Sequence, residues 1–262
     1  MIFPLLTIVA IVAPATAPAQ MGHAELVYKA TIDRAAVVAS VDEKIAAGDI
    51  AGALAAIKEL GTKWQAAIEA TSLTASDGEK VKTIRDRLAF EPLMEAKLPA
   101  GFPPYTPVGE VELKQLPAYR VAKVEADDVK AQMAMFSQLF FHIQKNNIPM
   151  TAPVEIQLAT AGDGLTMTGM AFMYESTNQG TLGQDGAVSV IDEAPELAVS
   201  IGMRGEMNLI DVQQARAQLE AFIKQNGKLV ASGGLRTMGY NSPRVPDADK
   251  YYEVQIPVKP AE

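Results

Sequence analysis

Between Ala24 and Lys97 apolar residues recur at three- and four-residue spacing, the period of helices with one buried face. The first segment runs from about Ala24 to Ala47 and stops at Gly48. Asp49 is then a natural N-cap for a second through Ala53, Ile57, Leu60, Trp64 and Ile68. After the turn cluster Thr74-Ala75-Ser76-Asp77-Gly78, Val81, Ile84 and Leu88 mark a third helix ending around Lys97. No 34-residue signature repeats, so the segment reads as a helical bundle packed on the next domain or on a second copy. Pro99 to Pro107 holds four prolines and one glycine with Phe102 and Tyr105 between them, which predicts an extended linker and a domain boundary.

Beyond the linker the apolar period shortens to two. Glu110 to Glu125 is β-like, Val129 to Lys145 is helical, and Ala152 to Thr160 and Leu165 to Glu175 are strands around the turn Gly162-Asp163-Gly164. The order then recurs. Ala187 to Glu206 is β-like, with Pro195 standing where Pro117 stood. Val212 to Asn226 is a helix ended by Gly227, and Leu229 to Tyr240 and Tyr251 to Lys259 are strands. A repeat of roughly eighty residues is too long for a solenoid and suits a duplicated half-domain. The expectation is an α+β fold in which two β-α-β-β halves, related by a pseudo-twofold, place two long helices against one curved antiparallel sheet or distorted barrel. The groove between the halves is the default ligand site.

Composition narrows the function classes. A formal charge of -8 gives no electrostatic footprint for a nucleic-acid backbone, and the absence of cysteine removes disulfides, thiolate ligands and cysteine nucleophiles. The apolar run Ile2 to Val12 followed by Ala17-Pro18-Ala19 predicts a signal peptide at residues 1–19 cleaved after Ala19, and hence export to a periplasm or the medium. Interrupted by Pro4 and Pro14, that run falls short of the ~20 residues that span a bilayer, so no membrane span is expected to remain after cleavage. No Walker-type loop or G-x-S-x-G elbow is present, and no nucleophile can be named with its base, so no catalytic residue is assigned.

Three ordered segments carry a resemblance: Asn147-Ile148-Pro149-Met150-Thr151-Ala152-Pro153-Val154, Ser200-Ile201-Gly202-Met203-Arg204-Gly205, and Gly239-Tyr240-Asn241-Ser242-Pro243 followed by Glu253-Val254-Gln255-Ile256-Pro257. Over roughly Val108 to Lys259 the chain resembles the SOUL/heme-binding-protein family, related to GyrI-like effector-binding domains. The resemblance implies the duplicated architecture and a groove that binds heme or another tetrapyrrole for carriage or sequestration. It leaves two alternatives: a GyrI-like binder of amphipathic or cationic small molecules, and a non-catalytic interaction module.

Candidate ligand-binding residues are Met135, Leu139, His142, Arg204, Tyr240 and Glu253. Val129, Met133, Phe136, Phe140 and Ile143 form the expected core stripe of the first long helix, with His142 off that stripe above Met135 and Leu139, at the edge of a groove. His142 is the candidate heme axial ligand, since His23 lies just after the cleavage site. Arg204 suits a propionate, and Tyr240 belongs to the turn motif. Glu253 sits between apolar residues on the last strand, and the strand register decides whether it faces a groove and a cation.

Overall fold

In a computed structural model the chain is described at residues 33–60, 68, 75–125, 132–162 and 164–261; the expected signal peptide at residues 1–19, His23, Trp64 and Val129 lie outside the described residues. Among the described residues the first helices are α1 (Arg34–Ala46), α2 (Ile50–Glu59) and α3 (Asp77–Ala89). Each starts where a side chain accepts an orphan amide. Asp33 takes Ala36 N, Asp49 takes Gly52 N, and Ser76 forms a reciprocal capping box with Glu79. Val41, Ala53, Ile57, Ile68, Val81, Ile84 and Leu88 pack into one small core. Asp42 clamps Arg85 across it through two hydrogen bonds, at 2.7 and 2.6 Å. The third helix stops at Ala89 rather than near Lys97, because Phe90 turns to extended backbone and residues beyond it are drawn onto the sheet.

The second part alternates strands and two long helices. β1 (Val111–Leu116) and β2 (Tyr119–Glu125) precede α4 (Gln132–Lys145), β3 (Val154–Ala161) and β4 (Gly164–Met173). β5 (Gly183–Asp185), β6 (Val188–Glu193) and β7 (Glu196–Arg204) lead to α5 (Leu209–Asn226). After it come β8 (Leu229–Ala231), β9 (Leu235–Gly239) and β10 (Tyr251–Pro260). Asn208 caps the start of α5 by accepting Asp211 N, and Gly227 ends it at φ 67°, a backbone angle a side chain would oppose.

All ten strands form one open antiparallel sheet in the order β1-β7-β10-β9-β3-β4-β2-β6-β5, with β8 also on β10. From β1 to β6 this order reads the same backwards once β1 is exchanged with β6, β2 with β7, β3 with β9 and β4 with β10. The duplication is thus realised, with the pseudo-twofold between β3 and β9. Each half gives its first strand away: β1 pairs with β7, and β6 pairs with β2. Three expected β segments are each divided. Pro117 lies in the break between β1 and β2, Pro195 in that between β6 and β7, and Ser232-Gly233-Gly234 in that between β8 and β9.

The faces of the sheet differ. α4 and α5 cover one face with an apolar core that includes Leu139, Phe172, Val199, Leu219, Val254 and Ile256. The other face carries Tyr119, Met238, Tyr240 and Tyr251 and is covered by residues 90–108, through Phe90, Leu98, Phe102, Tyr105 and Val108. The proline-rich segment is therefore extended, as its prolines require, but it lies on the sheet as a strap. Covered on both faces, β10 is buried at eight consecutive positions.

Candidate functional site

On α4 the buried positions are Met135, Leu139, His142 and Ile143, the i, i+4, i+7, i+8 face of the helix. The expected stripe was therefore turned. Met133 is 75% exposed and Phe140 lies at the surface, and Phe136 bridges the two faces by stacking on Phe140 and meeting Phe172 edge-on. Both stripes are apolar in Gln132–Lys145, so hydrophobicity alone could not choose between them. Met135 and Leu139 point into the core, each contributing ~1.5–3 kcal/mol of side-chain burial.

His142 is held at both ring nitrogens. Nδ1 lies 2.8 Å from Asp185 Oδ2 and Nε2 lies 2.8 Å from the Tyr174 hydroxyl, itself fully buried. Lys145 donates to the other oxygen of Asp185 at 2.8 Å. The Lys145 and His142 hydrogen bonds together hold the Asp185 carboxyl at about 2, below its ordinary 3.8. This cluster fastens the β5 edge of the sheet to the end of α4. Stability drawn from Asp185 is present above pH ~4 and lost as pH falls toward ~2. Asp185→Asn should therefore flatten the acid limb of an unfolding-versus-pH curve in that window; an unchanged limb would show that Asp185 adds nothing. For Nε2 to reach iron, the Tyr174 hydroxyl would first have to leave.

A cavity of about 600 Å³ lies elsewhere on the helix side, between the second half of α5 and the seam of the two halves. Leu158 and Leu165 from the first half, Ile223, Leu229, Leu235 and Ile256 from the second, give it apolar walls. Arg216, Glu220 and Lys224 supply its charged lining from successive turns of α5. Arg216 is positioned by Glu220, at 2.7 Å from Nε, and by Thr160, at 3.0 Å from Nη1. None of the six candidate residues lines this cavity. Its sequence signals were weak: cations spaced along an ordinary amphipathic helix, and a Gly233-Gly234 pair that reads as a break within a strand.

On the opposite face, register sends Tyr252 and Val254 to the helix core and Glu253 to the strap side. There Glu253 is fully buried and meets five donors. Lys114 Nζ lies at 2.5 Å, Thr106 N at 2.7 Å, Gln255 Nε2 at 2.8 Å, Tyr251 OH at 3.0 Å and Ser200 Oγ at 3.1 Å. Burial alone would raise its pKa; Lys114 and the hydrogen bonds bring it below the ordinary carboxylate value. Gln255 continues the network to Arg236, which pairs with Glu196 at 2.5 Å and Glu155 at 3.5 Å. Tyr240 is buried against Tyr251. Arg204 ends β7 apart from these, donating to Ala248 O at 2.6 Å with its guanidinium 4.4 Å over the Phe90 ring.

The segments that carried the resemblance meet at the strap. Ala152 N donates to Lys97 O, Gly109 N to Gly202 O, and Asn241 Nδ2 to Leu93 O, while Ser242 N and Oγ bind Glu95 and Glu253 takes Thr106 N. Candidate residues thus fall in three places: Met135, Leu139 and His142 under α4, Tyr240 and Glu253 under the strap, and Arg204 at the end of β7.

Among solved structures the chain finds similarities at low identity. The chain is similar to EcmrR in its DNA complex (14% identity, TM-score 0.48, covering 58% of this chain and 58% of that one). It is also similar to a hydrolase from Listeria innocua (12%, TM-score 0.46, 59% and 94%) and to SAV2435 bound to tetraphenylphosphonium (17%, TM-score 0.37, 57% and 94%). The chain thus spans just over half the length of the EcmrR chain. No curated protein matches it by sequence. The two-half sheet, its paired helices and the ordered segments that bind the strap all fall within or beside residues 102–257, which match the family described as SOUL heme-binding protein; the match covers more than half of the chain, and the chain belongs to that family.

Proposed function

We propose that this protein carries or sequesters a tetrapyrrole, heme among them, in the cavity between α5 and the seam of the two halves. Family membership supports a ligand-binding role. The observation that carries the reading is a cavity of about 600 Å³ with apolar walls and a charged margin of Arg216, Lys224 and Glu220, net positive, a size and character suited to a flat amphipathic carboxylate. Leu158, Leu165, Leu235 and Ile256 would hold the ring by apolar contact, and Arg216 and Lys224 would meet the carboxylates. Heme, when bound, supplies an iron whose axial chemistry comes from His, Met, Tyr or Cys. None of those residue types lines the cavity, so the fit is to the macrocycle and its carboxylates rather than to the metal. A cationic ligand at Glu253 is disfavoured, because Lys114 already stands 2.5 Å from that carboxylate. The apolar leader and Ala17-Pro18-Ala19 support action outside the cytoplasm, in a periplasm or the medium.

Titration of the chain from Gln20 onward with hemin and with metal-free protoporphyrin tests this. Both are expected to bind saturably, one to one, and with affinities within a few-fold. Ala231→Trp, at an exposed position on the cavity wall, should abolish binding. Arg216→Glu or Lys224→Glu should each weaken it about tenfold, the equivalent of ~1.4 kcal/mol. Binding that is lost in His142→Ala but survives Ala231→Trp would move the site to α4 and overturn the assignment.

A further inference from the structure

The second face of the sheet holds a finished charged site that the proposed function does not use. Lys114 and Glu253, both buried, face each other on β1 and β10, with β7 between them. The Lys114 ammonium donates to Glu253 Oε1 at 2.5 Å and to the Pro104 carbonyl of the strap at 2.8 Å. The Tyr251 hydroxyl lies 2.5 Å from the Thr106 carbonyl and 3.0 Å from Glu253 Oε1, and its ring is packed edge-on against Tyr105 at 5.6 Å and tilted against Tyr240 at 5.2 Å. A buried carboxylate, a carbonyl acceptor and an aromatic wall are the elements by which proteins recognise a primary ammonium group. Here the strap supplies the carbonyl and β1 supplies the ammonium.

We propose that the pocket formed by Glu253, Tyr251, Tyr105 and the Pro104 carbonyl is a primary-ammonium binding site that the chain fills with its own Lys114. The side chain acts as a tethered pseudo-ligand. With it in place the second face is closed to external cations, and the protein's ligands are confined to the helix side.

Lys114→Ala in the full chain removes three methylenes and the ammonium, a fragment whose free counterpart is propylammonium. Melting temperature is read in propylammonium chloride against tetramethylammonium chloride at equal ionic strength. The bulkier cation has no N–H to donate. Propylammonium is expected to raise the melting temperature of Lys114→Ala by several degrees, saturably. It should leave wild type and the charge-neutral Lys114→Met/Glu253→Gln variant unmoved. Equal responses to the two salts, or rescue of the charge-neutral variant, would overturn the assignment. If Lys114→Ala does not fold unaided, it is refolded in each salt. Native protein recovered with propylammonium alone supports the site, and no gain over tetramethylammonium overturns it.

Discussion

Glu253→Ala is expected to destabilise the protein by ~3–5 kcal/mol, the range for removing one partner of a buried ion pair. The loss exceeds one contact because Lys114 would be left charged and buried, and the Thr106 amide, Ser200 hydroxyl and Gln255 amide would each lose an acceptor. Glu253→Gln keeps the shape and should lose less. The sign with pH follows from the lowered carboxyl. Stability drawn from Glu253 is complete above the ordinary carboxylate range and is lost as pH falls through its lower folded value, so wild type and Glu253→Ala should converge in acid. Urea unfolding at neutral pH measures the difference. A loss below about 1 kcal/mol would mean that the network does not seal this face.

Gly202→Ala should be the second large effect, and its sign is the informative part. Gly→Ala at an unstrained position commonly stabilises by ~0.4–1 kcal/mol through the unfolded chain. At Gly202 an added Cβ would fall inside the Thr106 carbonyl oxygen and too near the Pro107 backbone, where the strap presses on β7. Backbone cannot turn aside as a side chain can, so strap and strand must part, at ~1–3 kcal/mol or more. Hydrogen exchange supplies the local readout. The amides of Thr106 and Gly109, which bond Glu253 and the Gly202 carbonyl, should exchange faster in the variant, while α5 is unaffected. Gly78→Ala, on α3 with open space around it, is the control expected to be neutral or stabilising. Equal outcomes at the two glycines would show that the strap does not press on Gly202.

Local chemistry was the legible part of the fold. Asp49 capped its helix as its type requires, Gly227 ended α5, and the two prolines at corresponding places announced a duplication that the strand order realises. What depended on distant partners was not legible. α4 presents two apolar stripes, and only the sheet beneath it selected the one through Leu139 and left Met133 in water. Prolines at positions 99–107 dictate an extended backbone, but nothing local says whether that backbone crosses solvent or a tyrosine-lined face. The site was the least legible. Arg216 and Lys224 resemble any exposed cations on a helix until β3, β8 and β9 are folded beneath them. Glu253 was recognised as unusual, but its partner Lys114 lies 139 residues away in sequence.

The exchange of first strands between the halves also sets the order of assembly during synthesis. β1 is the first strand to be made, yet its ladder partner is β7, which begins eighty residues later at Glu196 after Leu116 has emerged. β7 in turn is flanked on its other side by β10, the last strand of the chain. The early half therefore waits with an unpaired edge, and contacts this remote in sequence make folding slow. Completion of the sheet is thus set by the arrival of β10 and not by that of β1.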